Sequence, residues 1–131
     1  MKKGFENLDA WKLAREFRKN IYHVTKSFPK AELFGLTSQI RRAACSVTAN
    51  IAEGVGRYSL QECIHFCIIA RGSINEILDQ LYVSLDENYI SQSSFDTLYE
   101  EGRRVEQVIN GYINHLRKMN SRDTIHEVRD T

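Results

Sequence analysis

The sequence predicts an all-α protein, an antiparallel up-down-up-down four-helix bundle. Three observations lead there. Apolar residues recur at steps of three and four along four separate stretches. No stretch alternates apolar and polar residues as a strand does, and none is a run of Val, Ile and Thr bounded by turns. The links between the four stretches are short, which sets successive helices antiparallel.

The first helix carries Ala10, Ala14, Phe17, Ile21, Val24 and Phe28 on one face. It should end near Phe28, because Pro29 pushes the residue before it out of helical geometry. The second carries Leu33, Leu36, Ile40, Ala44, Val47 and Ile51. It runs into Gly54 and Gly56, which are expected to take left-handed geometry and stop it. Ser59, three residues before Glu62, reads as the capping box of the third helix. "NIAEGVGR", residues 50–57, is therefore a joint rather than a phosphate loop, which would follow a strand and place a Lys after its second Gly. The third helix carries Leu60, Cys63, Cys67, Ala70, Ile74, Ile77 and Leu81, and the fourth Phe95, Leu98, Val105, Ile109, Tyr112 and Leu116. Residues 1–118 form the bundle domain, and residues 119–131 a polar tail expected to fray.

The chain has 131 residues, 42% hydrophobic and 27% charged, a composition that suits one globular domain and not a disordered one. No apolar run approaches the roughly 18 residues of a membrane span, so no membrane partner is expected. Residues Met1 to Glu6 lack the apolar centre of a signal peptide, and three cysteines make no paired framework, so a reducing cytoplasm is the simplest location. The net charge of +1 hides a strong asymmetry. Residues 1–30 hold eight Lys/Arg against three Asp/Glu, and residues 58–101 hold one against eight. Such surfaces either stay solvated or meet each other, within a subunit or between copies.

The second helix lacks an ordinary solvent face. Between Leu36 and Gly56 its only charges are Arg41, Arg42 and Glu53. Besides the apolar stripe it has a face of small residues, Ser38, Cys45, Thr48, Ala49 and Ala52. A third face is polar: Gln39, Arg42, Ser46, Asn50, Glu53 and Arg57. Small residues allow another backbone close, so Gln39, Cys45, Ser46, Thr48, Ala49, Asn50, Ala52 and Glu53 are the candidate oligomer interface or channel lining. The third helix opens with "CIHFCIIA", apolar nearly all round, which needs either cover from another copy or a thicker core within one subunit.

"LTSQIRRAACSVTANIAEGVGR" followed by "ECIHFCIIARGSINEILDQL" resembles the four helix bundle protein family first noticed as reading frames in intervening sequences of bacterial 23S rRNA genes. "FENLDAWKLAREFRKNIYHVTKSFP" resembles its start, and the likeness spans roughly residues 5–118. The resemblance implies a bundle that assembles into a ring-like homopentamer around a channel. It also implies kinship with the accessory protein of diversity-generating retroelements, a basic pentamer that works with a reverse transcriptase and binds nucleic acid. RNA or DNA, a reverse transcriptase and further copies of the chain are thus the implied partners. Two departures stand out. Thr48 sits where the family usually has a proline, so a helix kink should be weaker here. The chain is also nearly neutral where the retroelement protein is strongly basic.

Little in the sequence points to catalysis, metal or cofactor. Cys63 and Cys67 share a helix face, but no His or carboxylate completes a four-ligand zinc set, and they read instead as small apolar core residues. Arg18 and His23 match an Arg-x4-His pattern of helical-bundle ribonucleases, the enzyme alternative, although residues five apart on a helix diverge by about 140°. Nucleic acid would be held electrostatically by Lys12, Arg15, Arg18 and Lys19, with Arg41, Arg42 and Arg57 at the channel. The same arginines could instead pair with Glu53, Glu62, Glu76 and Asp79. Trp11, Tyr22, Tyr58 and Tyr82 are candidates either for base stacking or for packing at helix crossings.

Overall fold

Helix α1 spans Asp9–Thr25, α2 Leu36–Val55, α3 Leu60–Asp86 and α4 Gln92–Asp130, with short 3-10 turns at Phe5–Asn7 and Lys30–Glu32. The computed structural model describes the backbone of residues 4–130 and the side chains of residues 4–121; the expected polar tail falls mostly outside the described side chains. Among the described residues there is no strand. The helices touch in a closed cycle, α1 to α2 to α3 to α4 and back to α1, without diagonal contact. Cross-helix bonds run antiparallel throughout. Tyr22 reaches Cys45 while Thr25 reaches Arg41, and Arg71 reaches Asn110 while Asn75 reaches Glu106.

The apolar stripes meet at the centre. Phe17, Ile21, Ile40, Val47, Ile51, Ile74, Ile77, Leu81, Ile109 and Ile113 are buried, most of them completely. Gly102 brings α4 onto α1 and α3: a Cβ there would stand 2.8 Å from Leu78 Cδ2 and 3.0 Å from Phe17 Cζ. The apolar surplus of α3 is absorbed largely within the subunit. Cys63, Ile64, Cys67 and Ala70 are buried, and Ile69 and Val83 remain exposed.

Three local expectations need correction. α1 ends at Thr25, one turn early. The Thr25 hydroxyl donates to the Ile21 carbonyl (2.8 Å) and accepts from Arg41 Nε (2.8 Å), a side-chain anchor that the Pro29 argument does not see. α2 starts at Leu36, so Leu33 lies in the preceding turn, half exposed, rather than on the apolar stripe. Glu32 Oε1 accepts the Leu36 N–H (3.2 Å) and helps open the helix. Finally, neither Gly54 nor Gly56 is left-handed: Gly56 has φ −77°, and Gly54 is still helical. Gly54 is needed for close approach, since a Cβ would stand 3.0 Å from Phe66 Cβ and 3.1 Å from the Cys63 carbonyl oxygen.

The start of α3 keeps the Ser59 half of the expected capping box, while the Glu62 carboxylate takes the Ser59 hydroxyl rather than its backbone N–H. The Ser59 hydroxyl accepts the Glu62 N–H (3.1 Å) and donates to the Glu62 carboxylate (3.1 Å). Ser91 caps α4 in the same way, accepting the Ser94 N–H (3.1 Å). Thr48 closes on its own helix through the Cys45 carbonyl (3.1 Å), and α2 runs unbroken through it.

Candidate nucleic-acid interface

The outward side of α1 is cationic along its length. Successive residues on an α-helix are about 100° apart, so Lys12, Arg15, Lys19, His23 and Lys26 fall within an arc of about 80°, opposite the buried Ala10, Ala14, Phe17 and Ile21. All five are exposed. Two carboxylates approach this ridge: Glu16, 3.5 Å from Lys19 Nζ with both side chains 60% exposed, a pair that contributes little, and Glu101 of α4, which lines a hollow with His23 and accepts from Asn20 Nδ2 (2.9 Å). The α3 helix, diagonally across the bundle, instead exposes Glu76, Asp79 and Asp86. The charge asymmetry of the sequence is thus an asymmetry between opposite sides of the bundle.

The candidate cations divide into groups. Lys12, Arg15 and Lys19 form the ridge as expected, joined by Lys26. Arg18 turns sideways toward α2, where its Nη1 donates to Thr48 Oγ1 (2.8 Å). Arg41 also faces α1: besides Thr25 it binds the Tyr22 carbonyl (3.4 Å) and lies 4.9 Å above the Tyr22 ring. Arg42 is exposed. Arg57 belongs to the far end of α2, paired with Glu53 (2.6 Å) and lying over Phe66. The seven residues therefore do not share one surface.

Two open hollows lie along the α1–α2 edge, and a third, of about 320 Å³ between α1 and α4, is lined by His23 and Glu101 among others. Of the first two, one, of about 540 Å³, is lined by Arg18, Lys19, Asn20, Tyr22, His23 and Lys26. The other, of about 450 Å³, is lined by Tyr22, Leu33, Phe34, Thr37, Ser38, Arg41 and Arg42. Arg18 and His23, expected to diverge, border the same hollow. Sequence reasoning missed Phe34, which is 93% exposed. The available signal was its position: Leu33 and Phe34 adjoin in a link before Gly35, where both cannot turn inward.

The candidate assembly face on α2 is also divided. Thr48 is buried between α1 and α2, and Cys45 meets the Tyr22 hydroxyl (3.2 Å). Ser46 meets the Ser73 hydroxyl of α3 (2.9 Å), and Asn50 donates to Ser46. Gln39, Ala49 and Glu53 are exposed, and Ala52 is half-buried. Of the other aromatics, Trp11 packs on Phe5, and Tyr82 packs on Phe95 and Tyr99. Tyr58 is fully exposed.

The remaining titratable groups are structural. Burial pushes the Cys67 thiol up to about 12, with Cys63 alongside adding to the shift. Burial likewise raises Tyr112, whose hydroxyl lies 3.8 Å from Cys63 Sγ. A thiol raised as far as that of Cys67 stays protonated and unreactive. Among the described residues no three His, Cys, Asp or Glu side chains gather as a metal would require. No described helix is long and apolar enough to cross a membrane.

Comparison with known proteins agrees with this architecture. No curated protein matches the chain. The fold is similar to the crystal structure of a protein of unknown function from the S23 ribosomal protein family of Bacteroides thetaiotaomicron. The TM-score is 0.74 at 22% identity, covering 80% of this chain and 95% of that one. The family model described as 23S rRNA-intervening sequence protein matches residues 6–111, which takes in α1, α2, α3 and the first half of α4. With its fold and most of its length accounted for in this way, the chain belongs to the 23S rRNA-intervening sequence protein family.

Proposed function

We propose that this chain is a non-enzymatic, self-assembling helical bundle whose α1 ridge engages the backbone of nucleic acid. The observation that carries the reading is the line of five exposed basic residues, Lys12, Arg15, Lys19, His23 and Lys26, on one helix face, with Glu16 and Glu101 at its edge. Phosphate contacts of this kind position a nucleic acid without reading its sequence. Assembly repeats the ridge once per subunit, so a modest patch on one chain becomes a strong one on a ring. A homopentamer joined through the outer part of α2, at Gln39, Ala49, Ala52 and Glu53, would present it in that way. A protein partner suited to such an accessory role is a reverse transcriptase.

Fluorescence anisotropy with labelled RNA and DNA tests the reading. Affinity should fall with salt by a log–log slope of about −0.9 per phosphate contact on duplex DNA, with little sequence preference. No binding at low salt, or salt-resistant binding with clear sequence preference, would remove it.

A ribonuclease is the second reading, favoured by the shared hollow of Arg18 and His23. Incubation with labelled RNA decides it. Cleavage that disappears in His23→Ala would establish an enzyme, whereas intact RNA after prolonged incubation leaves the binding protein.

A further inference from the structure

The two hollows along the α1–α2 edge share Tyr22 and together form one path. Among the described residues, no acidic residue lines either hollow. Arg18 and Lys26 stand along the first half, Arg41 and Arg42 along the second. Arg18 and Arg41 are held by Thr48 and Thr25, and each uses only part of its guanidinium fork, which has five N–H donors. Arg41 also fixes the Tyr22 ring by lying 4.9 Å above it. At the end of the path Phe34 stands 93% exposed, and no ring contact involves it. This free ring shares its hollow with the guanidinium groups of Arg41 and Arg42 and with half-exposed Leu33.

We infer that this edge is a binding site for single-stranded nucleic acid, with an unpaired base stacked on Phe34 and the adjoining phosphates held by Arg42, Arg41 and Lys26. A cationic groove that tracks the backbone, interrupted by aromatic rings with free faces, is the arrangement single strands require. A duplex satisfies the ridge but not the ring, because its bases are already stacked. Charge selects the occupant: the described lining residues are basic or neutral, so the edge favours a polyanion over an ordinary protein surface. The inference rests on the α1 reading above and narrows it to a class of nucleic acid.

The test compares binding of a labelled single strand of about 12 nucleotides with its duplex, at low salt. Wild type, Phe34→Ala, Phe34→Leu and Phe34→Trp are measured, with the mass of each variant determined by light scattering. Phe34 is exposed, so these variants should fold. Phe34→Ala and Phe34→Leu should weaken single-strand binding roughly 5- to 30-fold and leave duplex binding and mass unchanged. Phe34→Trp should keep single-strand affinity within about twofold, with its indole fluorescence quenched on binding. Salt-dependent binding that ignores Phe34 overturns this inference alone and leaves the ridge reading intact. No binding of either form by wild type overturns both. A loss of mass in Phe34→Ala that Phe34→Leu restores also overturns the inference, because it shows that Phe34 buries against a second copy.

Discussion

Glycines at two positions of this bundle have opposite consequences. Gly54 lies where α2 and α3 nearly touch, 3.0 Å from the Phe66 Cβ once a Cβ is added. Gly54→Val should cost on the order of 1–3 kcal/mol through overpacking, read as a lower melting temperature. Gly72, in the middle of α3, has nothing within 4 Å of an added Cβ. Gly72→Ala should therefore stabilise by roughly 0.5–1 kcal/mol, through helix propensity alone. Equal effects at both sites would contradict the close approach at Gly54. The Cys67 thiol adds a pH dependence. Burial raises it from its ordinary 9.0 to about 12, so the folded state holds its proton longer than the unfolded state does. That contribution to stability is complete below pH 9 and is lost as pH rises toward 12. Thermal unfolding across that range should show the decline, and Cys67→Ala, though less stable at neutral pH, should show a shallower one. Parallel curves would mean that this thiol is not responsible.

At the level of helices, steps of three and four place most of each core stripe because burial in a bundle repeats with the helical turn, although on α4 the fully buried position is Ile113 and the expected Tyr112 is half-buried. Ala10, Ala14, Phe17 and Ile21 on α1 and Ile40, Ala44, Val47 and Ile51 on α2 are all buried. Periodicity fails where helices end. Leu33 continues the spacing of α2 but belongs to the link, and α1 gives way after Thr25 to tighter backbone turns, at a residue whose hydroxyl is bound by Arg41, sixteen residues away in sequence. Long-range polar contacts of this kind also decide the candidate site. Lys12, Arg15 and Lys19 are legible as one face because they obey a single helix's geometry. Arg41 and the cation–ring contact of Arg57 are not, since Tyr22 and Thr25 reach Arg41, and Phe66 reaches Arg57, only in the fold. The ridge itself predicts a charge effect. Lys12→Glu with Lys19→Glu should leave the melting temperature nearly unchanged, because both residues are exposed and the Lys19–Glu16 pair is worth little. The same variant should bind duplex DNA more weakly and flatten its salt slope by about 0.9 for each phosphate that it no longer neutralises. An unchanged slope would place the phosphate-binding groups elsewhere.

For the whole molecule, the question is what the bundle leaves uncovered once each helix has met two neighbours. Exposed Ala49 stands on the outer side of α2 between Arg42 and Glu53, with no lysine anywhere along that helix. Ile69 and Val83 remain 39% and 40% exposed on α3. Basic and acidic sides face away from each other across the subunit, on α1 and α3. An arrangement with unlike opposite sides suits head-to-tail contact, which closes into a ring when each step rotates by a fixed fraction of a turn. Light scattering on the purified protein should then give a mass near five times the 15.2 kDa chain. Salt should loosen the assembly if charge aligns the subunits, because screening weakens attraction between exposed groups. Ala49→Lys should also lower the assembled mass, since it forces a long, strongly hydrated side chain into a face that otherwise lets backbones approach. Its melting temperature at low concentration, where subunits are separate, should stay close to that of the wild type. A single species at 15.2 kDa in the wild type, at micromolar concentration and low salt, would show that α2's outer face meets only water. An assembled wild type with an unaltered Ala49→Lys variant would keep the ring and move its interface to another side of the bundle, of which the Ile69 and Val83 face of α3 is the next to mutate.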